Sequence, residues 1–498
     1  MSFQKLPSEL IRQIFPDVIS YNAYTDVLTV LERLDNKHAQ YVYFHWDKSV
    51  LPVYQDRCAL MSVCKLWRNI AVDLPYLWSL QVFRNIGPKE CNDLPRRMSQ
   101  SGSLPIDIFI KVDSRTPPKP LNQFFDILAQ YSHRIRILHN PLYSSTGIIM
   151  PGLDTVFRLG DNIVLPKLEC LQLAGANRLQ SSSSRTIHTP NLKCLDIRGH
   201  EDDGVLHFKA LSDDTLRNLT SLAVRDSSAY NDAWEGAVEK LFLCQNLREL
   251  VWGWDPIDHL SDNAISALPT IFPHLHSMLI EAYHPTRMVC DPFPIHLRSL
   301  RILHFSFVSD LFSEDPETLD MTSLSTIAPQ LEILTLGRWN LVASASSSSV
   351  MFSRLKRLEI QSFRTEASFW QYIFNPEDET NYPMPELKQL IFYDVKNGVL
   401  NRIQDAIKSC MSRENANPEW LISLQILNDR GRMSHSEFVR DILFEGGCLK
   451  VQNINSEEER RCEQHSSMIC PRLTVLDPLT AYHELKRKYG IPSPPSSF

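Results

Sequence analysis

Glycine is scarce in this chain and proline is not: 16 glycines stand against 31 prolines in 498 residues. Loops that cradle phosphate are built from glycine, and neither G-x-x-x-x-G-K-[ST] nor a post-strand G-x-G-x-x-G occurs. G-x-S-x-G and H-E-x-x-H are missing too, so nucleotide, hydrolase and zinc-peptidase readings lose their usual support and no cofactor is expected. Long apolar runs are also lacking. Every stretch of about 18 residues is broken by a charge, a proline or a serine run, so no bilayer span is expected. The opening MSFQKLPSEL has no apolar core, so no secretory leader is expected there. The 11 cysteines are scattered and form no C-x-x-C pair, which suits reduced thiols in the cytoplasm or nucleus and implies no disulfides. Cys462, His465 and Cys470 lack a fourth ligand nearby, so a metal is not expected. Excess positive charge is the last absence. The 51 Lys and Arg against 58 Asp and Glu give a net charge of -7, with no sequence cluster of more than three basic residues. A surface built to neutralise many phosphates is thereby excluded as a first reading.

What remains is a core-forming chain, 43% hydrophobic and 22% charged, long enough for about three ordinary domains or one extended stack. Frequent proline predicts many short elements. The serine-dominated tracts Ser181 to Ser184 and Ser344 to Ser349 read as surface loops, and Ile491 to Phe498 as a frayed tail.

The dominant pattern is a Leu-x-x-Leu-x-apolar unit, usually with Pro or Asn just before its first leucine. It occurs as Leu168/Leu171/Leu173, Leu192/Leu195/Ile197, Leu219/Leu222/Val224, Leu247/Leu250/Trp252, Leu275/Met278/Ile280, Leu300/Leu303/Phe305, Leu331/Leu334/Leu336, Leu355/Leu358/Ile360, Leu387/Leu390/Phe392 and Leu421/Leu424/Ile426, with starts 24 to 34 residues apart. In a strand, alternate residues share a face, so the second and third apolar positions point one way and their neighbours the other. One unit cannot bury such a face alone, but a stack of ten closes a continuous core. Between strands, Trp234, Ala237, Val238, Leu241 and Phe242 fall on one helical face, as do Val399, Ile403, Ala406, Ile407 and Cys410. Ser434 and Glu437 form a capping box ahead of a third helix with Phe438, Val439, Ile442 and Leu443. Parallel strands with helical crossovers are the expected result, and a doubly wound α/β domain is the rival arrangement. From Leu168 to Ile426 the pattern resembles the leucine-rich repeat family of the irregular, longer-period kind, although the consensus Asn after the third apolar position is mostly missing.

Near the N-terminus, Leu6, Leu10, Ile11, Ile14 and Phe15 form one stripe behind Pro7, and Leu60, Val63, Cys64, Trp67 and Ala71 form a second. Pro75 then opens a turn through Leu77 and Trp78. These residues resemble the F-box family: a Leu-Pro-x-Glu-Leu-x-x-x-Ile-Phe opening is matched by Leu6, Pro7, Glu9, Leu10, Ile14 and Phe15. A Val-Cys-basic-x-Trp helix with a Pro-x-Leu-Trp turn is matched by Val63, Cys64, Lys65, Trp67, Pro75, Leu77 and Trp78. The strand-like SGSLPIDIFI from Ser101 to Ile110 resembles the Ser-Gly-Ser-x-Pro strand that succeeds the F-box in an arrangement common in mushroom-forming fungi. The chain departs from the family in an insertion at about 20–57, with a helix-like Asp26 to Leu34 and the aromatic run Tyr41 to Trp46. It is expected to loop out, because loop closure costs little more as length grows.

The resemblances imply an α/β chain in which a small all-helical F-box module (4–82) is followed by a linking strand/helix segment with a first atypical repeat (83–160), a curved leucine-rich-repeat solenoid (161–480) and a tail (481–498). They imply a substrate-recognition subunit of a Skp-cullin-F-box ubiquitin ligase, without enzymatic activity of its own. The Skp adaptor would be contacted by Leu6, Pro7, Leu10, Ile11, Ile14, Phe15, Leu60, Val63, Cys64, Trp67, Leu77 and Trp78. A protein substrate would lie on the open face of the repeats, where strand alternation places Asp196, Arg198, Arg225, Glu249, Glu281, His304, Arg357, Glu359, Gln361 and Tyr393. Trp254 would be an exposed anchor beside a buried Trp252. The alternatives are a repeat scaffold without ligase association, an N-terminal segment that merely caps the first repeat, and a hydrolase with no recognisable motif. Neither nucleic acid nor membrane is expected as a partner.

Overall fold

The structure is a computed structural model that describes residues 7–18, 46–84, 86–111, 118–140, 162–176, 186–199, 208–225, 237–252, 272–282, 297, 299–307, 318–337, 340–342, 352–361, 369, 384–387, 389–393, 423–427 and 450–451. The class is mixed α/β. The described residues fall into two compact units, one within Met1–His139 and one within Asn140–Ile469.

The first unit holds α1 (Ser8–Val18), α2 (Trp46–Val63), α3 (Lys65–Val72), a 3-10 turn at Pro75–Trp78, β1 (Leu80–Arg84), α4 (Pro88–Gln100), β2 (Ile106–Lys111), α5 (Pro118–Ala129), a second 3-10 turn at Ser132–Arg134 and β3 (Ile135–Asn140). The three strands pair in parallel in chain order, with α4 and α5 as crossovers. Strands begin at Leu80, just inside the end of the expected helical module, and the strand/helix segment that follows shares one compact unit with the helices as far as His139. Packing explains this: Leu94 and Met98 of α4 and Phe124, Phe125 and Leu128 of α5 are fully buried, and the Cys91 thiol of α4 donates to the Pro120 carbonyl of α5 at 3.2 Å.

The Ser-Gly-Ser-x-Pro segment reverses the chain between α4 and β2. Gly102 sits at φ 59, in the left-handed region that suits glycine. Buried Arg134 closes the turn. Its Nη2 donates to the Leu104 carbonyl at 2.9 Å and to Ser101 Oγ at 2.7 Å, and its Nη1 to the Met98 carbonyl at 3.3 Å. A Cβ on Gly102 would meet only Pro75 side-chain atoms at 3.7 and 3.9 Å, so space is not the constraint. Gly102→Ala is expected to cost about 1 to 2 kcal/mol through backbone strain alone, measurable by denaturant unfolding. Gly102→Asn, which tolerates this φ, should cost less.

The second unit is organised by an eleven-stranded parallel sheet: β5 (Cys170–Ala176), β7 (Cys194–Gly199), β8 (Ser221–Arg225), β9 (Glu249–Trp252), β10 (Ser277–Ala282), β11 (Ile302–Phe307), β13 (Ile333–Gly337), β15 (Arg357–Gln361), β16 (Gln389–Tyr393), β17 (Ser423–Leu427) and β18 (Lys450–Val451). Two side sheets pair β4 (Asn162–Val164) with β6 (Thr186–His188) and β12 (Thr318–Asp320) with β14 (Asn340–Val342). Within the main sheet the strands follow chain order, unlike a doubly wound sheet, whose order reverses from its centre.

The register of the main sheet matches the repeat units position by position. Leu171 pairs with Leu195, Leu195 with Leu222, Leu222 with Leu250, Leu250 with Met278 and Met278 with Leu303. Leu303 then pairs with Leu334, Leu334 with Leu358, Leu358 with Leu390 and Leu390 with Leu424. The third apolar positions form a second row, from Leu173 against Ile197 to Phe392 against Ile426. The first leucines Leu168, Leu192, Leu219, Leu247, Leu275, Leu300, Leu331, Leu355 and Leu387 are all buried, so each turn enters its strand over its own core residue.

Just ahead of these leucines a polar ladder secures the stack. Asn191 Nδ2 donates to the Pro166 carbonyl at 2.6 Å, Asn218 Nδ2 to Pro190 at 2.9 Å, Asn246 Nδ2 to Arg217 at 2.7 Å and Ser299 Oγ to Pro273 at 2.6 Å. Each donor precedes a first leucine, and each acceptor lies two residues before the first leucine of the preceding rung. These side chains thus satisfy backbone carbonyls at the strand starts.

Crossovers are short among the described residues: α6 (Asp213–Asn218), α7 (Ala237–Leu241) and α8 (Met321–Ile327). α7 carries the Ala237 and Leu241 of the expected helical face, in a briefer helix. The faces expected at Val399 to Cys410 and Phe438 to Leu443 lie outside the described residues, as does Asp26 to Leu34.

Candidate functional site

The strongest candidate surface is on α1, α2 and α3. α1 starts over Pro7, whose carbonyl accepts from Leu10 and Ile11 at 3.1 and 3.2 Å. Its stripe divides: Ile11 and Phe15 are buried, while Leu10 is exposed. Phe15 stands against Trp67 of α3 with centroids 5.2 Å apart and planes at 55°. That edge-tilted contact is the preferred geometry for two aromatic quadrupoles and holds the first helix on the third.

The Val-Cys-basic-x-Trp spacing acquires a local explanation. Cys64, in extended conformation at φ -162 and ψ 172, separates α2 from α3 and acts as N-cap: its sulfur accepts from the Trp67 amide at 3.5 Å. Arg68, one turn on, donates from Nε to the Met61 carbonyl at 3.0 Å and so caps the end of α2. At the far end of α3, Trp78 Nε1 donates to the Ala71 carbonyl at 2.9 Å, fixing the Pro-x-Leu-Trp turn.

The insertion does not loop out entirely. Residues 46–57 are the first part of α2, continuous with the helix expected only after them. Arg57 locks this extension in place: buried, it donates from Nη1 to the carbonyls of Leu77 and Leu80 at 2.8 and 2.9 Å. Its guanidinium lies 4.7 Å from the Trp78 ring centroid and 5.1 Å from that of Tyr54. Desolvation pulls its pKa down to about 10.

The expected adaptor set accordingly separates into two groups. Ile11, Phe15, Leu60, Leu77 and Trp78 are buried within the chain and hold the helices together, so as contacts they are corrected. A helical stripe spans about 100° of arc, and most of it is consumed by the neighbouring helices. Pro7 is exposed, and Cys64 and Trp67 are half-buried. Leu10 and Val63 remain open at 45% and 56% exposure, joined by Leu66 at 42%, which motif matching passed over because it falls on the variable position beside Trp67. Leu6 and the Ile14 side chain lie outside the described residues.

The open-face set needs a similar correction. His304 and Glu359 were expected at the surface and are buried, at 5% and 4% exposure. Gln172, Val251 and Leu279 occupy the same register row and are buried as well. The apolar Val251 and Leu279, on positions that the leucine pattern leaves free, were the available sign, because strands covered on both faces read as nearly continuous apolar runs. Arg357 is half-buried and donates from Nε to Glu359 Oε1. Asp196 accepts from Gln172 Nε2 at 2.7 Å, and Glu249 is half-buried between Ser221 and Ser277. Arg198 and Arg225 are register partners on β7 and β8, and Glu281, Gln361 and Tyr393 lie on β10, β15 and β16. The side chains of these five, and Trp254 altogether, lie outside the described residues.

One nucleophile-like arrangement occurs. Ser212 Oγ lies 3.2 Å from His188 Nδ1. That hydroxyl accepts from the Thr215 amide at 3.3 Å and caps α6, which accounts for its position. Among the described residues, no group of three or more His, Cys, Asp and Glu side chains is placed to hold a metal ion, and no helix is long and apolar enough to cross a membrane. Compared with known proteins, the sequence matches no family model and no curated protein.

Proposed function

We propose that the chain is an F-box substrate receptor: its helical N-terminus docks on the Skp adaptor of a cullin ubiquitin ligase, and its second unit, read as a leucine-rich-repeat domain, holds a protein substrate. The observation that carries this reading is the apolar trio of Leu10, Val63 and Leu66, exposed on helices whose inner faces are already filled by Ile11, Phe15, Leu60 and Ile70. Three large aliphatic side chains left open on helices this short are better matched to another polypeptide than to water. Arg12, Lys65 and Arg68 are also exposed on α1 and α3, so the same helices carry the mixture of apolar and polar surface that protein interfaces use.

On this reading the chain performs no covalent step. Tethering raises the effective concentration of substrate lysines near the ubiquitin-charged enzyme, which turns a bimolecular encounter into a nearly intramolecular one. The candidate substrate set loses the buried His304 and Glu359 and otherwise stays as proposed, with Arg198, Arg225, Glu249, Trp254, Glu281, Arg357 and Tyr393.

Co-expression of the full chain with a Skp adaptor tests the reading. A stable complex is expected, and Val63→Glu or Leu66→Glu should weaken it about 30-fold or more, as at a buried interface anchor. Both positions are open to solvent, so circular dichroism should be unchanged, and Val63→Ser should weaken the complex less. A repeat scaffold without ligase association would form no complex, and the variants would behave as the parent does.

A further inference from the structure

Away from the surfaces assigned above, the second unit carries a line of cations along the starting edge of its strands. Each rung contributes the residue directly after its first leucine. From Lys193 to Lys356, the amide of each donates to the carbonyl of its counterpart on the preceding rung, at 2.7 to 2.9 Å. The counterparts are therefore stacked about 4.8 Å apart, the spacing of neighbouring strands. Lys193, Arg248, Arg301 and Lys356 occupy every second rung of this row and are all exposed. They recur about every 10 Å. Lys167 and Arg354, also exposed, lie on the adjoining row just before the first leucines.

The line is only partly neutralised. Glu332 stands between Arg301 and Lys356, 3.7 Å from the first and 2.9 Å from the second. Glu169 precedes Lys193 in the row and His276 follows Arg248, but Lys193 and Arg248 make no ion pair with another described residue, and the position between them is Thr220. Like charges held in a line repel one another, and a bound anion of matching spacing would offset that repulsion.

From this geometry we infer that the strand-start edge is a docking surface for an acidic, extended segment of a protein partner, with Asp or Glu at about every third residue. In a flat β-strand such residues would alternate between faces. In polyproline II they return to one face every turn of about 9.3 Å, close to the separation of the cations. Nucleic acid fits less well: the rings that the two rows offer to a base are the imidazoles of His274 and His276, both on one rung, and the net charge of -7 opposes a long polyanion. This inference goes beyond the receptor reading and does not rest on it.

Fluorescence anisotropy with the full chain and a labelled peptide of repeated Glu-Pro-Pro triplets tests it, at about 0.02 M and about 0.3 M salt. Binding is expected at the lower salt, weakening at the higher. Lys193→Glu with Arg248→Glu should reduce affinity about tenfold or more, and Lys193→Gln with Arg248→Gln less, at unchanged circular dichroism. Arg96→Glu with Lys119→Glu, on α4 and α5 of the other unit, should leave binding as it was. Absence of peptide binding, an equal loss in the α4 and α5 variant, or tighter binding of a single-stranded oligonucleotide than of the peptide would each overturn the inference.

Discussion

Replacing Arg136, whose side chain is a quarter exposed, with methionine is expected to destabilise the first unit by about 2 to 3 kcal/mol, less than the loss typical of a fully buried ion pair deprived of one partner. Asp107 on β2 is completely buried, and Arg136 on β3 grips it with both arms of the guanidinium: Nε donates to Oδ1 at 2.9 Å and Nη2 to Oδ2. The Asp107 backbone amide also donates to the Ser79 carbonyl at 2.8 Å, which ties β2 to the entry of β1. Methionine roughly keeps the volume and removes the positive charge that faces the buried carboxylate. The double variant Asp107→Leu with Arg136→Met should recover most of the loss, because two well-packed apolar groups avoid the desolvation of both ions. Hydrogen exchange along β2 and β3, with a denaturant titration, reads both outcomes. A single variant as stable as the parent would mean that this pair contributes nothing, and a double variant as weak as the single would mean that its geometry, not its charge, is what matters.

The second large effect is expected at Trp252, the largest fully buried side chain in the described residues. It stands in the third apolar row between Val224 on β8 and Ile280 on β10, with Phe208 edge-on at 5.7 Å and 82°. Trp252→Ala should cost about 3 to 5 kcal/mol, through lost transfer energy and the cavity left behind. Because each rung rests mainly on its neighbours, the damage should spread along β8 to β10 before reaching distant strands. Amide exchange should therefore accelerate in those three strands first, while β2 and β3 of the other unit keep their protection. A uniform acceleration over both units would contradict that picture. Trp252→Phe, which retains most of the apolar volume and the contact with Phe208, should recover more than half of the loss.

The two units differ in how far they can be read from sequence. In the second, the spacing of leucines is sufficient to align strands that are up to 34 residues apart, since parallel neighbours carrying the same pattern bury it only when their leucines are level. The Asn218-to-Pro190 type of tie, by contrast, joins residues whose partnership has no local signal. In the first unit, the caps and turns of α3 follow from short motifs, because Cys64, Trp67 and Trp78 act within about two helical turns. Arg57, 20 residues from the Leu77 carbonyl it binds, and Arg134, 33 residues from Ser101, act through the fold instead.

What the amino-acid order alone determined is therefore periodic: the strand register, the row of buried leucines from Leu168 to Leu387 and an amphipathic helix at the opening of the N-terminal motif, whereas the second stripe, expected on one helix from Leu60 to Ala71, is divided at Cys64 between α2 and α3, with Leu60 buried and Val63 exposed. Periodicity says which residues share a side, and it does not say what covers that side. Only the tertiary structure decided that Leu10 is open while Ile11 beside it is sealed, that His304 and Glu359 are buried, and that α2 begins at Trp46. Burial and charge proximity depend on distances between remote segments, and a linear chain acquires those only when its rungs are stacked.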